Sequence, residues 1–429
     1  MIVALIHLPS PGLAEPWTNF PLGLGYVAAA VEKAGYDVVI HDFCEGLEDI
    51  PFADIFGMQI TVPQINLAKQ LAKDLKHQYP HARIVAGGPQ VEADRGPFIR
   101  DFNFDAMVIG EAEVSFNKLL KDWGKYGMID RVYWKQPEQN LDDIEFPARH
   151  LFPNFKRNAL RTKEMFKTDH VGGGQTTIMA SRGCPWECSF CGIHSKKLRF
   201  RSFKNIFKEI QDVIDRFNIY QFKWQDDTFT CRKSWVLEFC KLIKTEFPQV
   251  YHRCHTRADV FDEEMAAAMQ KAGFKFLCFG IESFSNRLLK INNKNITLKQ
   301  IENSLRISKE YGFDTSINLI YGMPGENESS IAETMDGVER NKELIDYINL
   351  ATMVPLPGTP ILKNPEKFNV EIIERDINKY WITDHQSDDI IFVKNKDISL
   401  RTAMDLKVKI YNFIQQMGYA KPEWHEIPN

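Results

Sequence analysis

Residues 181–194 read SRGCPWECSFCGIH and set Cys184, Cys188 and Cys191 within eight positions. Three thiols that close raise two questions: what they hold, and why there are three rather than four. A structural zinc site takes four protein ligands in tetrahedral geometry, usually as two pairs. Here there is one group of three, with His194 as a candidate fourth ligand. Iron–sulfur clusters are held by thiolates, and a four-iron cluster on three cysteines leaves one iron without a protein ligand. An open coordination position is what a catalytic metal needs and a structural one avoids. The iron–sulfur reading therefore fits best, with the missing ligand as the place where a substrate binds. Zinc with His194 and a chance grouping of free thiols are the alternatives.

A chain of 429 residues is expected to form two or three domains. Hydrophobic residues at 44% and charged residues at 26% describe a globular protein. A formal net charge of -4 gives no reason to expect nucleic acid as a partner. The basic stretch KKLRFRS, 196–202, reads as a loop leading into a helix and not as a nucleic-acid patch. Apolar runs such as GLGYVAAAV, 23–31, fall far short of a membrane span. The opening MIVALIHLPSPG has neither the positive flank nor the cleavage site of a signal peptide. It reads as a buried strand and a turn, which predicts a cytoplasmic protein with no membrane partner. The cytosol disfavours structural disulfides, so clustered thiols there point to metal or redox chemistry. The scattered Cys44, Cys231, Cys240, Cys254 and Cys278 read as small buried hydrophobes.

Short apolar runs alternate with helical patterns over 1–125, and no hairpin turns separate them. That pattern predicts a Rossmann-like, doubly wound parallel sheet. Ligands in such sheets bind beyond the carboxyl ends of the strands, here Pro9 to Gly12, His41 to Glu45, Gln59 to Pro63, Gly87 to Gln90 and Gly110 to Glu113. Residues 126–173 are less regular and read as a linker. Alternation resumes over 174–362 as six strand–helix units, enough for an open partial (β/α)6 barrel but short of the eight of a closed one. A C-terminal extension, 363–429, holds one clear helical pattern.

CPWECSFC, 184–191, resembles the CxxxCxxC loop of radical S-adenosylmethionine (radical SAM) enzymes, including the aromatic Phe190 before the third cysteine. QFKWQDDTFT, HTRAD, FLCFGIES, INLIYGMPGE and VPLPGTP follow in the order and approximate spacing of that family's successive strands, so the resemblance covers 175–360. It implies a [4Fe-4S] cluster on Cys184, Cys188 and Cys191 whose open iron chelates S-adenosyl-L-methionine (SAM). Electron transfer then yields methionine and a 5′-deoxyadenosyl radical. By position, Gln225, Asp226 and Asp227 would hold the SAM amino group, or the aspartates simply cap a turn. Arg257 would pair with the SAM carboxylate or with Glu282, and Glu282 itself would contact SAM. The turn at Gly322 would let backbone approach the adenine or ribose, or is only a tight turn.

The front of the chain also resembles a known domain. PLGLGYVAAAVEKAGYDVVIHD, RIVAGGPQVEAD and FDAMVIGEAEVSFNKLL look like the cobalamin (vitamin B12)-binding domain fused to one large radical SAM subfamily. Met58, Gln59, Thr61, Gly87 and Gly88 would then flank the cobalamin nucleotide tail. The DxHxxG signature is absent, since the first loop reads LPSPGLAEPW, which argues against a protein imidazole as the lower cobalt ligand. The resemblance implies methylation of an unactivated carbon of a small-molecule or peptide substrate, with an electron donor such as flavodoxin or ferredoxin. A non-methylating cyclase or oxidoreductase of the same architecture, and a non-catalytic iron–sulfur or cobalamin sensor, are the other readings. In the tail, Tyr380, Trp381 and His385 are candidates to close the barrel mouth.

Overall fold

The computed structural model describes residues 1–10, 19–43, 50–94, 103–135, 140–165, 174–192, 195–380 and 390–419. The chain divides into two compact units, Met1–Met165 and Phe166–Asn429.

Six strands form the sheet of the first unit: β1 (Ile2–His7), β2 (Asp37–Asp42), β3 (Ile55–Gln59), β4 (Arg83–Gly87), β5 (Ala106–Ile109) and β6 (Val132–Trp134). Every pairing is parallel, in the order β2-β1-β3-β4-β5-β6. Central strands such as IFGMQ and AMVI are buried nearly throughout, as expected when helices cover both faces. The chain leaves β1 toward β2, then returns to place β3 on the other side of β1. That reversal is the topological switch point of the unit. The segment expected as a linker contributes more than a connection. Val132–Trp134 extends the sheet beside β5, and Ser115 Oγ donates to the Trp134 carbonyl at 2.8 Å. Three residues with a single inward side chain leave too little periodicity to read as a strand.

The second unit continues with β7 (Gln175–Ile178), β8 (Ser181–Arg182), β9 (Arg199–Phe200), β10 (Gln221–Trp224), β11 (Tyr251–Thr256), β12 (Phe274–Glu282), β13 (Asp314–Tyr321) and β14 (Tyr347–Thr352). Its main sheet runs β14-β13-β12-β11-β10-β7, all parallel. Each new strand is added on the same side as the last, so right-handed crossovers put every helix on one face. The other face becomes the lumen of an open six-stranded partial barrel. Packing confirms which residues face the helices: Trp224 and His252 lie against Phe239 of helix Lys233–Glu246, with ring centroids 5.2 and 6.0 Å apart. The extension, expected to be a helical tail, adds an antiparallel pair, β15 (Val370–Ile372) with β16 (Val393–Asn395), before helix Leu400–Gln416. That helix is tied to the barrel where Tyr321 donates its hydroxyl to the Ala403 carbonyl. Trp381 and His385 lie outside the described residues.

Candidate functional site

β8 and β9 pair antiparallel, Ser181 with Phe200 and Arg182 with Arg199, and close the base of the cysteine loop at the carboxyl end of β7. Gly183 turns the chain out of β8 with φ +95; a Cβ there would lie 2.4 Å from the Lys197 carbonyl oxygen, so the turn requires glycine. Cys184 and Cys188 are each 8% exposed, and Cys191 is half-buried. The loop is pinned from outside. Ser189 donates its backbone N–H to the Asn292 carbonyl at 3.0 Å and its hydroxyl to Asn292 Oδ1 at 2.8 Å.

Arg257, just past β11, reaches the same loop. Its Nη1 lies 3.9 Å from Cys188 Sγ, and its guanidinium sits 4.4 Å from the Trp186 ring centroid. Asp259 accepts from Nε and Nη2 at 2.9 and 3.1 Å, and the Lys294 carbonyl accepts from Nη2 at 2.8 Å. Arg257 therefore pairs with Asp259, and not with Glu282 as one expectation had it. Glu282 instead accepts from Lys294 Nζ at 2.8 Å in a buried ion pair. Burial pushes the Cys188 thiol up, while Lys294 and Arg257 pull it back toward the thiolate that metal ligation needs.

Glu282 holds a φ of +69 at the end of β12, where the register to β13 shifts between Gly280 and Glu282. A left-handed conformation in a residue other than glycine costs on the order of 1–3 kcal/mol, and the Glu282 charge is among those that act on Cys188. The other strand-end candidates separate. Asp226 is buried, with Oδ1 accepting from Ser181 Oγ at 2.5 Å and Oδ2 from the Ala180 N–H at 3.1 Å. Burial raises it to about 6. Through these two bonds it ties the end of β10 to the segment that enters the cysteine loop. Asp227 is exposed beside it, with the Gly183 N–H and Lys196 near. Gln225 is half-buried and donates its N–H to the Ile178 carbonyl. Gly322 has φ +88, and its N–H is held by Glu326. Asn292 and Lys294 were not expected at this site. Their signal is INNKN, 291–295, an asparagine-rich turn in which Asn293 and Asn295 both take positive φ.

Three thiols on one short loop fit an iron–sulfur cluster. Among the described residues no three His, Cys, Asp or Glu side chains converge on one metal ion. Thiolates that bind different irons of a cluster need not converge. His194 lies outside the described residues. Cys240, Cys254 and Cys278 are buried as expected, Cys231 is half-buried, and Cys44 is outside the described residues.

In the first unit, Gly88 has φ +100, and a Cβ there would lie 2.8 Å from both the N and O of Ile60. Gly87 ends β4 and accepts the Ile60 N–H at 2.8 Å. Beside this turn Gln59 Oε1 and Gln90 Oε1 are buried with no hydrogen-bond partner among the described residues, and Gly23 leaves room for the Gln59 side chain. Two orphaned acceptors beside the switch point fit a polar ligand such as the cobalamin tail. Met58 does not belong with them, being 2% exposed within β3. Thr61 uses its N–H and hydroxyl on Gln64 Oε1. The loop 11–18 lies outside the described residues.

Residues 178–338 match the Radical SAM superfamily and residues 18–120 the B12 binding domain. An uncharacterised methyltransferase of Pyrococcus horikoshii is 30% identical over 80% of this chain and 77% of its own. The anaerobic magnesium-protoporphyrin IX monomethyl ester cyclase of Cereibacter sphaeroides is 24% identical over 87% of this chain and 64% of its own. Among solved structures, the radical SAM methyltransferase TsrM of Kitasatospora setae, with cobalamin and a [4Fe-4S] cluster bound, shares the fold. It superposes with a TM-score of 0.71 at 14% identity, covering 99% of this chain and 90% of that one. Among the described residues no helix is long and apolar enough to cross a membrane.

Proposed function

The chain belongs to the radical SAM superfamily and carries a B12-binding domain, and from that premise we propose that it methylates an unactivated carbon of a small-molecule or peptide substrate. The observation that carries the proposal is the loop of Cys184, Cys188 and Cys191 at the carboxyl end of the barrel strands, in one chain with a B12-binding domain. The methyltransferase name of the 30% identical relative supports it.

When bound, a [4Fe-4S] cluster supplies the electron that splits SAM and a cobalamin carries the transferred methyl group. The three cysteines would hold the cluster, with Arg257 and Lys294 placing positive charge beside Cys188. Glu282 and Asp227 offer carboxylates for the SAM ammonium, and Gly322 offers close backbone approach. Gln59, Thr61, Gly87 and Gly88 would flank the cobalamin. Reduction requires an outside donor such as flavodoxin or ferredoxin.

The cyclase relative favours a second reading, a radical reaction without methyl transfer. Anaerobic reconstitution with iron, sulfide and hydroxocobalamin, followed by product analysis with SAM and a reductant, separates the two. A methyltransferase binds near one cobalt and about four irons per chain and releases S-adenosylhomocysteine as well as 5′-deoxyadenosine. Release of 5′-deoxyadenosine without S-adenosylhomocysteine would replace methylation with the second reading.

A further inference from the structure

A cavity of about 450 Å³ opens where three segments of the second unit meet: helix Asn286–Ile291, the GMPGE turn of 322–326, and the extension at the turn Pro365–Phe368 and the end of β16. That volume lies within the range of small-molecule sites. Gly325 makes the space. It has a φ of +85, and a Cβ there would lie 2.6 Å from Ile291 Cδ1 and 3.4 Å from Arg287 Nη1. The turn must stay bare for these two side chains to stand against it. Asn395, 5% exposed, holds the turn in place. Its amide accepts the Gly325 N–H and donates to the Met323 and Glu326 carbonyls at 3.2 and 3.1 Å.

The charges around this cavity do not balance. Arg287 donates from Nη2 to the Gly325 carbonyl at 2.7 Å, and Lys367 makes no hydrogen bond or ion pair among the described residues. Glu366, next to Lys367, is engaged by Lys396. Burial raises Glu326 to about 8, against the pull of Arg287, so at neutral pH it is chiefly the uncharged acid. Asp397 is the other acidic residue of the described lining, and it accepts from Asn369 Nδ2 at 2.7 Å. Two cations against one carboxylate favour an anion. Ile291, 38% exposed, and the half-buried Phe368 and Ile398 offer apolar surface beside them.

We propose that this cavity binds a small organic anion, with its carboxylate or phosphate between Arg287 and Lys367 and its apolar body against Ile291, Phe368 and Ile398. No residue of the cysteine loop lines the cavity, so this ligand is separate from the one at the open iron, and the site does not depend on the radical-enzyme reading. Glu326 lines the cavity and also accepts the Gly322 N–H, so the occupant bears on the turn that follows β13.

The test uses the reconstituted full chain with 4-fluorobenzoate and 4-fluorophenyl phosphate as anionic probes and 4-fluorobenzamide as a neutral one, each followed by 19F line broadening. Wild type and the surface variant Lys241→Met should bind at least one anionic probe more tightly than the amide, and excess SAM should leave that binding in place. Arg287→Met and Lys367→Met should each weaken it by about tenfold, the scale of one lost charge-assisted contact. The anionic probe that binds more tightly assigns the oxyanion as carboxylate or phosphate. Three results overturn the inference: anionic probes bound no better than the amide, equal binding in wild type and both cavity variants, or displacement of the probe by SAM. Circular dichroism checks folding, and Arg287→Gln replaces the methionine variant if that fails to fold. SAM cleavage is measured alongside. Wild type that binds a probe as expected but never cleaves SAM defeats the functional reading and leaves this inference standing, whereas intact cleavage with unaltered probe binding in both variants defeats this inference only.

Discussion

Ser189 and Asn292 are joined twice, by backbone at 3.0 Å and by side chain at 2.8 Å, across 103 residues of sequence. The contact falls between the second and third cysteines, so the position of the cluster loop depends on the turn that follows helix Asn286–Ile291, far away in sequence. Asn292 is itself held by the Leu288 and Pro324 carbonyls, each at 2.9 Å. Replacing it by alanine takes the side-chain partner from the Ser189 hydroxyl and the Pro324 carbonyl in a buried place, at about 1–3 kcal/mol for a buried polar group, while the Leu288 carbonyl keeps the backbone N–H of residue 292. Asn292→Ala is therefore expected to lower iron loading and the melting temperature together. Normal iron content in a destabilised protein would mean that the turn stabilises the fold without positioning the cysteines.

The barrel and most of the front sheet were legible because their strands, β6 apart, are short runs that alternate with helical periods. Cys184, Cys188 and Cys191 were legible because all three ligands lie in one loop. Contacts that join distant segments were not. Asp226 looks like a ligand carboxylate in WQDD, yet its partner Ser181 lies 45 residues earlier. Lys294, 12 residues after Glu282, takes the carboxylate that Arg257 was expected to share. Nothing in local periodicity marks such pairs. Asn293 and Asn295 carried the only local sign, a left-handed turn.

Arg257 places its charge 3.9 Å from the Cys188 sulfur. A nearby cation stabilises the more negative, reduced state of a thiolate-bound cluster. Arg257→Met is expected to shift the cluster midpoint to more negative potential and to slow SAM cleavage at a fixed reductant. Arg257→Lys keeps the charge but loses the two-point contact with Asp259, so it should recover part of the shift. Redox titration followed by electron paramagnetic resonance decides it; an unchanged potential in the methionine variant would reduce Arg257 to a packing role.

Gly88 combines a φ of +100 with Ile60 backbone atoms 2.8 Å from where a Cβ would stand. Alanine there meets backbone that cannot swing aside. Gly88→Ala is expected to cost about 1–3 kcal/mol from the left-handed conformation, with the collision in addition. Because the turn also shapes the space beside Gln59 and Gln90, cobalamin retention after desalting should fall while iron loading in the barrel stays. Equal loss of both would point to global unfolding rather than a local effect on the crevice.

Glu326 is 5% exposed, and burial raises it to about 8 from the ordinary carboxylate value of 4.5. The folded chain thus binds this proton more tightly than the unfolded chain does. The resulting stabilisation is fully present below about 4.5, and it is lost progressively as pH rises to about 8. Its carboxyl accepts the Gly322 N–H, a contact that glutamine can keep through its own carbonyl without ever ionising. Glu326→Gln is therefore expected to flatten the fall in melting temperature between pH 4.5 and 8 and to match or exceed wild type at the upper end. Thermal unfolding of both proteins across that range tests it. Parallel curves would show that ionisation of this carboxyl is not what weakens the GMPGE turn, and the pH dependence would have to come from another buried group.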